Sequence, residues 1–121
     1  MIEHAKSCYP QEACGFLAGK DGKISDFFPM ENVEHSSISY LMDPKEQMRI
    51  FKKMRDDKTE LLGIFHSHVA SPATPSQKDR AMAFYTEVSY FIVSLADMQK
   101  PDLRSFRIAD GKDAEEEIAV A

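Results

Sequence analysis

The longest unbroken run of apolar residues in this 121-residue chain, residues 81–85, has only five members. A bilayer span needs roughly twenty, so no segment inserts into a membrane and each run must bury itself against others. Turn residues separate the runs. Residues 13–19 and 24–30 flank Lys20-Asp21-Gly22-Lys23, and Asp-Gly between two such runs predicts a β-hairpin. Further strands are predicted over residues 38–42, 61–67 and 103–108. Residues 88–95 are apolar at both alternating sets, the pattern of a strand buried on both faces.

Helix signals lie between these runs. Residues 2–8 read as the last turns of a helix stopped by Pro10, because proline disfavours helical geometry in the residue before it. Asp43, Pro44 and Glu46 supply a cap, a first-turn proline and an early acid, starting a helix that runs to about Asp57. Met48, Phe51 and Met54 recur every three residues, with Ile50 beside them, and are expected to face the core. Another helix is predicted over residues 76–86. Strands outnumber helices and alternate with them irregularly, which predicts an α/β fold with a mixed β-sheet flanked by helices. No linker or repeat divides the chain, so a single domain is expected over residues 1–121, with residues 110–117 as a turn-like acidic end.

Composition removes several function classes. With 15 basic and 20 acidic side chains the net charge is −5, which repels a phosphate backbone, and nucleic acid is excluded as a partner. Arg49, Lys52, Lys53 and Arg55 read as a solvated helix face. No export signal opens the chain, so a cytoplasmic location is expected. Cys8 and Cys14 do not form a C-x-x-C pair and are expected to be reduced and structural. His4 and His35 lack partners at ligand spacing, and Glu31 and Glu34 beside Asn32 read as loop.

Chemistry concentrates between His66 and Asp79. Histidines at i and i+2 on an extended strand point to one face, so His66 and His68 can converge on one metal ion. The chain then loops to a helix whose first turn presents Asp79, a third ligand of a type zinc accepts. Three protein ligands leave one coordination position open, as catalytic zinc sites do. Each piece has a plainer reading: H-x-H as a polar strand end, and Ser76-x-x-Asp79 as a helix capping box. Given the 4 His, 11 Ser and 10 Asp of the chain, H-x-H-x7-S-x2-D arises by chance about once in a thousand such sequences.

This combination resembles the JAMM (MPN+) zinc metalloproteases, whose hallmark is an upstream Glu followed by H-[ST]-H-x7-S-x2-D. Pro10-Gln11-Glu12-Ala13-Cys14-Gly15-Phe16-Leu17 is similar to the segment carrying that Glu in the small prokaryotic branch. The resemblance implies Zn2+ on His66, His68 and Asp79, Glu12 as general acid/base, Ser76 helping to hold the oxyanion, and a cytidine-deaminase-like α/β sandwich. Zinc lowers the pKa of bound water and polarises a carbonyl, while a carboxylate moves the proton to the leaving amine. Such domains usually open with a strand and a longer helix, whereas eleven residues precede Glu12 here. A first strand is therefore expected to be missing, and an open sheet edge predicts a homo-oligomer.

The resemblance implies a zinc-dependent amide or isopeptide hydrolase that cuts after the C-terminal Gly-Gly of a small ubiquitin-like or sulfur-carrier protein. A compact chain without ubiquitin-gripping insertions favours release of a carrier from a small adduct such as cysteine. Removal of a ubiquitin-like modifier from protein lysines is the alternative substrate, and a non-catalytic MPN scaffold is the alternative of another class. Scaffolds of that kind generally lack the His pair or the Asp, and all three are present here.

Overall fold

A computed structural model describes residues 1–119; Val120 and Ala121, the last two positions of the expected domain, lie outside the described residues. Strands β1 (Cys14–Lys20), β2 (Lys23–Met30), β3 (Glu60–His68), β4 (Ser89–Ser94), β5 (Asp102–Ala109) and β6 (Lys112–Glu116) accompany helices α1 (Ile2–Cys8), α2 (Pro44–Asp57) and α3 (Gln77–Ala81). One sheet holds all six in the order β2-β1-β3-β4-β5-β6. Its pairs are antiparallel except β3 with β4, which makes it the mixed sheet that the pattern predicts.

The two tight hairpins of the sheet, β1-β2 and β5-β6, turn on Asp-Gly. Asp21 and Gly22 have φ of 52° and 75°, and Asp110 and Gly111 have 54° and 71°. Positive φ at both central residues is the type I′ geometry whose twist matches that of the flanking strands. The second hairpin corrects the reading of residues 110–117 as an acidic end, because Lys112–Glu116 pairs with β5. Its sequence carries no apolar alternation to announce a strand. Polar contacts decorate it instead: Arg104 Nη1 lies 3.2 Å from Glu115, Arg107 Nε lies 3.2 Å from Glu116, and the Ser105 hydroxyl donates to Glu116 at 2.7 Å.

Alternation along the central strands feeds two cores. Phe16, Ile64, Tyr90, Ile92, Phe106 and Ile108 pack with Ile50 and Met54 of α2 on one face. Leu17, Phe65, Phe91, Val93 and Leu95 pack with Ala5 of α1 on the other. The middle of the sheet is therefore covered on both sides, as residues 88–95 suggest. At Gly63 an added Cβ would lie 2.9 Å from the Phe91 ring and 3.0 Å from Leu17, so side chains of the neighbouring strands close over that position.

Three expectations need correction. Met48 is 72% exposed: stepping by three residues falls about 60° short of a full turn each time, so Met48 rotates away from the buried Ile50 and Met54. Residues 38–42 form no strand and contribute only a single bridge, Asn32 with Met42, because the Asn32 side chain takes backbone groups that a ladder would use. Helix α3 stops at Ala81, not near Thr86. There the Tyr90 hydroxyl accepts the Tyr85 N–H at 3.1 Å, and Met82 and Phe84 stay exposed. No helix among the described residues is long and apolar enough to cross a membrane.

These cores separate two classes of substitution. Phe65→Ala empties a fully buried site and should cost about 3–5 kcal/mol, whereas Met48→Ala should stay within about 0.5 kcal/mol. Urea unfolding in the presence of a chelator, which removes any contribution from metal binding, checks both values.

Candidate metal centre and active site

Strand β3 delivers the two histidines. Alternation places His66 and His68 on the α2 face with Ile64 and turns Ser67 toward the opposite face. The His66 and His68 Nε2 atoms lie 3.1 Å apart. Because β3 and β4 are parallel, the chain must leave the sheet at His68 and cross over before it can pair again. Helix α3 lies in that crossover.

Its N-terminus is a capping box. The Ser76 hydroxyl accepts the Asp79 N–H at 3.0 Å, and Asp79 Oδ2 accepts the Ser76 N–H at 2.9 Å. That same Oδ2 stands 3.1 Å from His66 Nε2 and 2.9 Å from His68 Nε2. The cap thus aims a carboxylate oxygen at both imidazoles, so the capping and metal readings of Ser76-x-x-Asp79 are compatible. The crossover is fastened to the sheet, where the Ser94 hydroxyl donates to the Ser71 carbonyl at 2.6 Å and Leu95 N–H donates to the His68 carbonyl at 2.9 Å.

The donor set fits a cation. His68 Nδ1 is 2.8 Å from the Pro72 carbonyl, which can only accept, so the proton of a neutral ring sits on Nδ1 and Nε2 offers a lone pair. That lone pair, His66 Nε2 and a carboxylate oxygen face one another within 3.1 Å. A proton on His66 Nε2 can serve only one of its two neighbours at a time, whereas a cation would be bound by all three atoms at once. The spacing suits an ion with bonds of about 2.0–2.2 Å to nitrogen and oxygen. Among the described residues this trio is the one such group of metal-ligating side chains.

Electrostatics agree with the geometry. Burial pulls His66 below the ordinary histidine range, so its ring stays neutral. Burial also lowers His68, but its contacts with Asp79 and the Pro72 carbonyl outweigh that and raise it overall. For Asp79, burial acts upward and is overcome by its contacts with the two imidazoles and by the Ser76 N–H, which hold the carboxyl well below the usual carboxylate range.

Glu12 lies just before β1, whose register sets Cys14 opposite His66. Its backbone is gripped twice: the N–H donates to the Ser36 carbonyl at 2.8 Å, and the carbonyl accepts from Asn32 Nδ2 at 3.1 Å. Glu12 is 5% exposed, and its Oε1 has no hydrogen-bond partner. Burial pushes the carboxyl up to about 7. Glu12, His68 and Ser76 line one cavity together with Ser37, Ile38 and residues 69–71. All five residues singled out from the sequence therefore lie around one place.

The chain matches the Prok-JAB family, prokaryotic homologs of the JAB domain, over residues 1–109. It belongs to that family. Among its relatives, the CysO-cysteine peptidase of Mycobacterium tuberculosis is 38% identical over 122 residues, covering 99% of this chain and 84% of that protein. The desampylase of Pyrococcus furiosus is 38% identical over 68 residues, 56% of this chain and 49% of its own. The solution structure of protein DSY2949 from Desulfitobacterium hafniense superposes with a TM-score of 0.88 at 43% identity, covering 98% of this chain and 84% of that one.

Three residues to which the sequence assigns no role shape the candidate site. Ser67, fully buried, accepts the Ala13 N–H through its hydroxyl at 2.8 Å and so ties the Glu12 segment to the histidines. Its place between two histidines was the available signal. Asn32 and Tyr40 belong to a loop that also holds the Glu12 backbone, and nothing in their spacing announces them. Cys14 is fully buried with its thiol pushed up to about 12 by burial, which fits the structural role expected of it.

Proposed function

We propose that this JAB-family chain is a zinc-dependent hydrolase that cuts the amide bond following the C-terminal Gly-Gly of a small ubiquitin-like or sulfur-carrier protein. The observation that carries the reading is the convergence of His66, His68 and Asp79 donor atoms within 3.1 Å of one another. Those three residues would hold the zinc, whose Lewis acidity lowers the pKa of a water toward 7 and polarises a carbonyl.

The chain's own groups do the rest. Glu12 takes a proton from the attacking water and returns it to the departing amine. A carboxyl raised to about 7 by burial is poised to gain and lose a proton near neutral pH, and its unpartnered Oε1 is free to do so. The Ser76 hydroxyl spends a lone pair on the Asp79 N–H, leaving its own hydrogen to donate to the oxyanion that forms at the carbonyl. Asp79 combines two duties, since the backbone contact that caps the helix also fixes its carboxylate.

Substrate shape follows from the cavity walls. Glu12 and His68 are buried below the mouth formed by Ser37, Ile38 and residues 69–71. A narrow extended tail lying along the 69–75 loop suits that opening. Glycines fit best there, because the backbone approaches closely only where no Cβ intervenes. The relative matched over 99% of this chain is a CysO-cysteine peptidase, which favours a carrier joined to cysteine as the first substrate to test.

Protein supplied with zinc should contain close to one equivalent per chain by elemental analysis, and His68→Ala or Asp79→Asn should lose most of it. Glu12→Gln should keep the zinc and the fold while turnover falls at least about a hundredfold. Wild type that takes up no zinc would remove the hydrolase reading, and a Glu12→Gln variant of undiminished rate would move the proton-transfer role elsewhere.

Mass spectrometry of a folded carrier joined through its terminal glycine to cysteine tests specificity. Cleavage should stop on adding a chelator and on replacing the last carrier glycine by leucine. Rapid hydrolysis of short peptides with bulky residues before the cut, while the carrier adduct stays intact, would overturn the Gly-Gly assignment.

A further inference from the structure

Two histidines bring equivalent atoms to one point but are held in unlike ways. His68 is oriented through its far nitrogen, Nδ1, which donates to the Pro72 carbonyl at 2.8 Å. His66 is 2% exposed, and its Nδ1 has no hydrogen-bond partner at all. Histidines that ligate metals almost always anchor that second nitrogen, which fixes the plane of the ring. Some other contact must set the plane of His66. The Tyr40 ring lies face to face with the imidazole, with centroids 4.7 Å apart and planes within 20°. The His68 ring on the other hand meets His66 at 60° and cannot serve as a parallel backing.

Tyr40 is itself gripped from both sides. The Asn32 amide, buried in the loop, donates Nδ2–H to the Ser39 carbonyl at 2.9 Å and accepts the Leu41 N–H on Oδ1 at 3.1 Å. These are the backbone groups immediately before and after Tyr40. The second Nδ2 hydrogen goes to the Glu12 carbonyl at 3.1 Å, and Oδ1 also accepts the Glu34 N–H at 3.1 Å. One side chain therefore clamps the Tyr40 segment and ties it to the segment that carries Glu12.

We propose that Tyr40 is the positioning residue of His66, its stacked ring replacing the missing hydrogen bond, and that Asn32 is the clamp that keeps Tyr40 there. The proposal rests on the reading of His66, His68 and Asp79 as metal ligands and adds to it a reason why the first of them points correctly. The ring face does the positioning, so the hydroxyl is dispensable.

Zinc affinity measured by competition with a chromophoric chelator tests this without any appeal to turnover. Tyr40→Phe keeps the ring and should bind zinc like wild type. Tyr40→Leu keeps an apolar side chain without a ring and should bind at least about tenfold more weakly, with an altered visible spectrum when cobalt replaces zinc. Asn32→Ala should weaken binding in the same direction, and it decides the matter if the leucine variant does not fold. In wild type itself, the ring current of Tyr40 should shift the His66 carbon-bound ring protons upfield of those of His68 in the NMR spectrum. Leucine binding as tightly as tyrosine, phenylalanine binding as poorly as leucine, or unshifted His66 protons would each overturn the proposal. Wild type that binds no zinc would sink the ligand reading and this inference with it, whereas wild-type binding with an unaffected leucine variant sinks the inference alone.

Discussion

Antiparallel pairing of β1 with β3, in the register that sets Cys14 opposite His66, determines which polar groups can meet, because each step back along β1 is a step forward along β3. Two steps carry Glu12 to the level of His68. A slip of one residue would turn both histidines to the α1 face and their intervening serine to the α2 face. Ser67 guards against that slip, since its N–H donates to the Ala13 carbonyl at 3.0 Å while its hydroxyl accepts the Ala13 N–H.

Opposed demands meet at Asp79. A half-buried carboxylate is costly to strip of water, yet here it accepts the N–H that caps α3 and faces two imidazoles, and the balance keeps it ionised. With His66 neutral and Glu12 raised to about 7, the interior holds a fixed anion beside groups that resist charge. A cation placed among them would gain from every one of these contacts at once. The same wall that excludes water from His66 also leaves its Nδ1 without a partner, so the burial that strengthens the electrostatics removes the usual means of orienting a ring.

Much of the architecture was legible in sequence, for reasons that can be named. The Asp21-Gly22 turn, the doubly apolar β4 and the Asp43-Pro44 helix start each follow from local chemistry, and the H-x-H alternation on a strand needs no tertiary knowledge. The losses share a cause too. Strand β6 has no apolar period and owes its place to the Asp110-Gly111 turn and to cross-strand ion pairs, which only a neighbour supplies. Residues 38–42 carry a strand's composition, but the Asn32 side chain, seven positions before Ser39 and nine before Leu41, takes their hydrogen bonds. Met48 is exposed because a three-residue step mimics a face without following the helix. In the candidate site, the residues proposed to act directly stand in a motif and Ser67 stands inside it, whereas Tyr40 and Asn32 act through others and leave no spacing to detect.

The three converging side chains all come from one stretch of chain, residues 66–79, that leaves the sheet at the end of β3 and returns as α3. An ion held among them would close a loop of about ten residues, and the entropy of such a closure grows only slowly with length. A bound ion is in that sense a cross-link, removing conformations from the crossover much as a covalent bridge would. Helix α3, five residues long and without a buried residue of its own, is too short to stand alone. The element that presents Asp79 would thus draw part of its own persistence from the ion that Asp79 helps to hold.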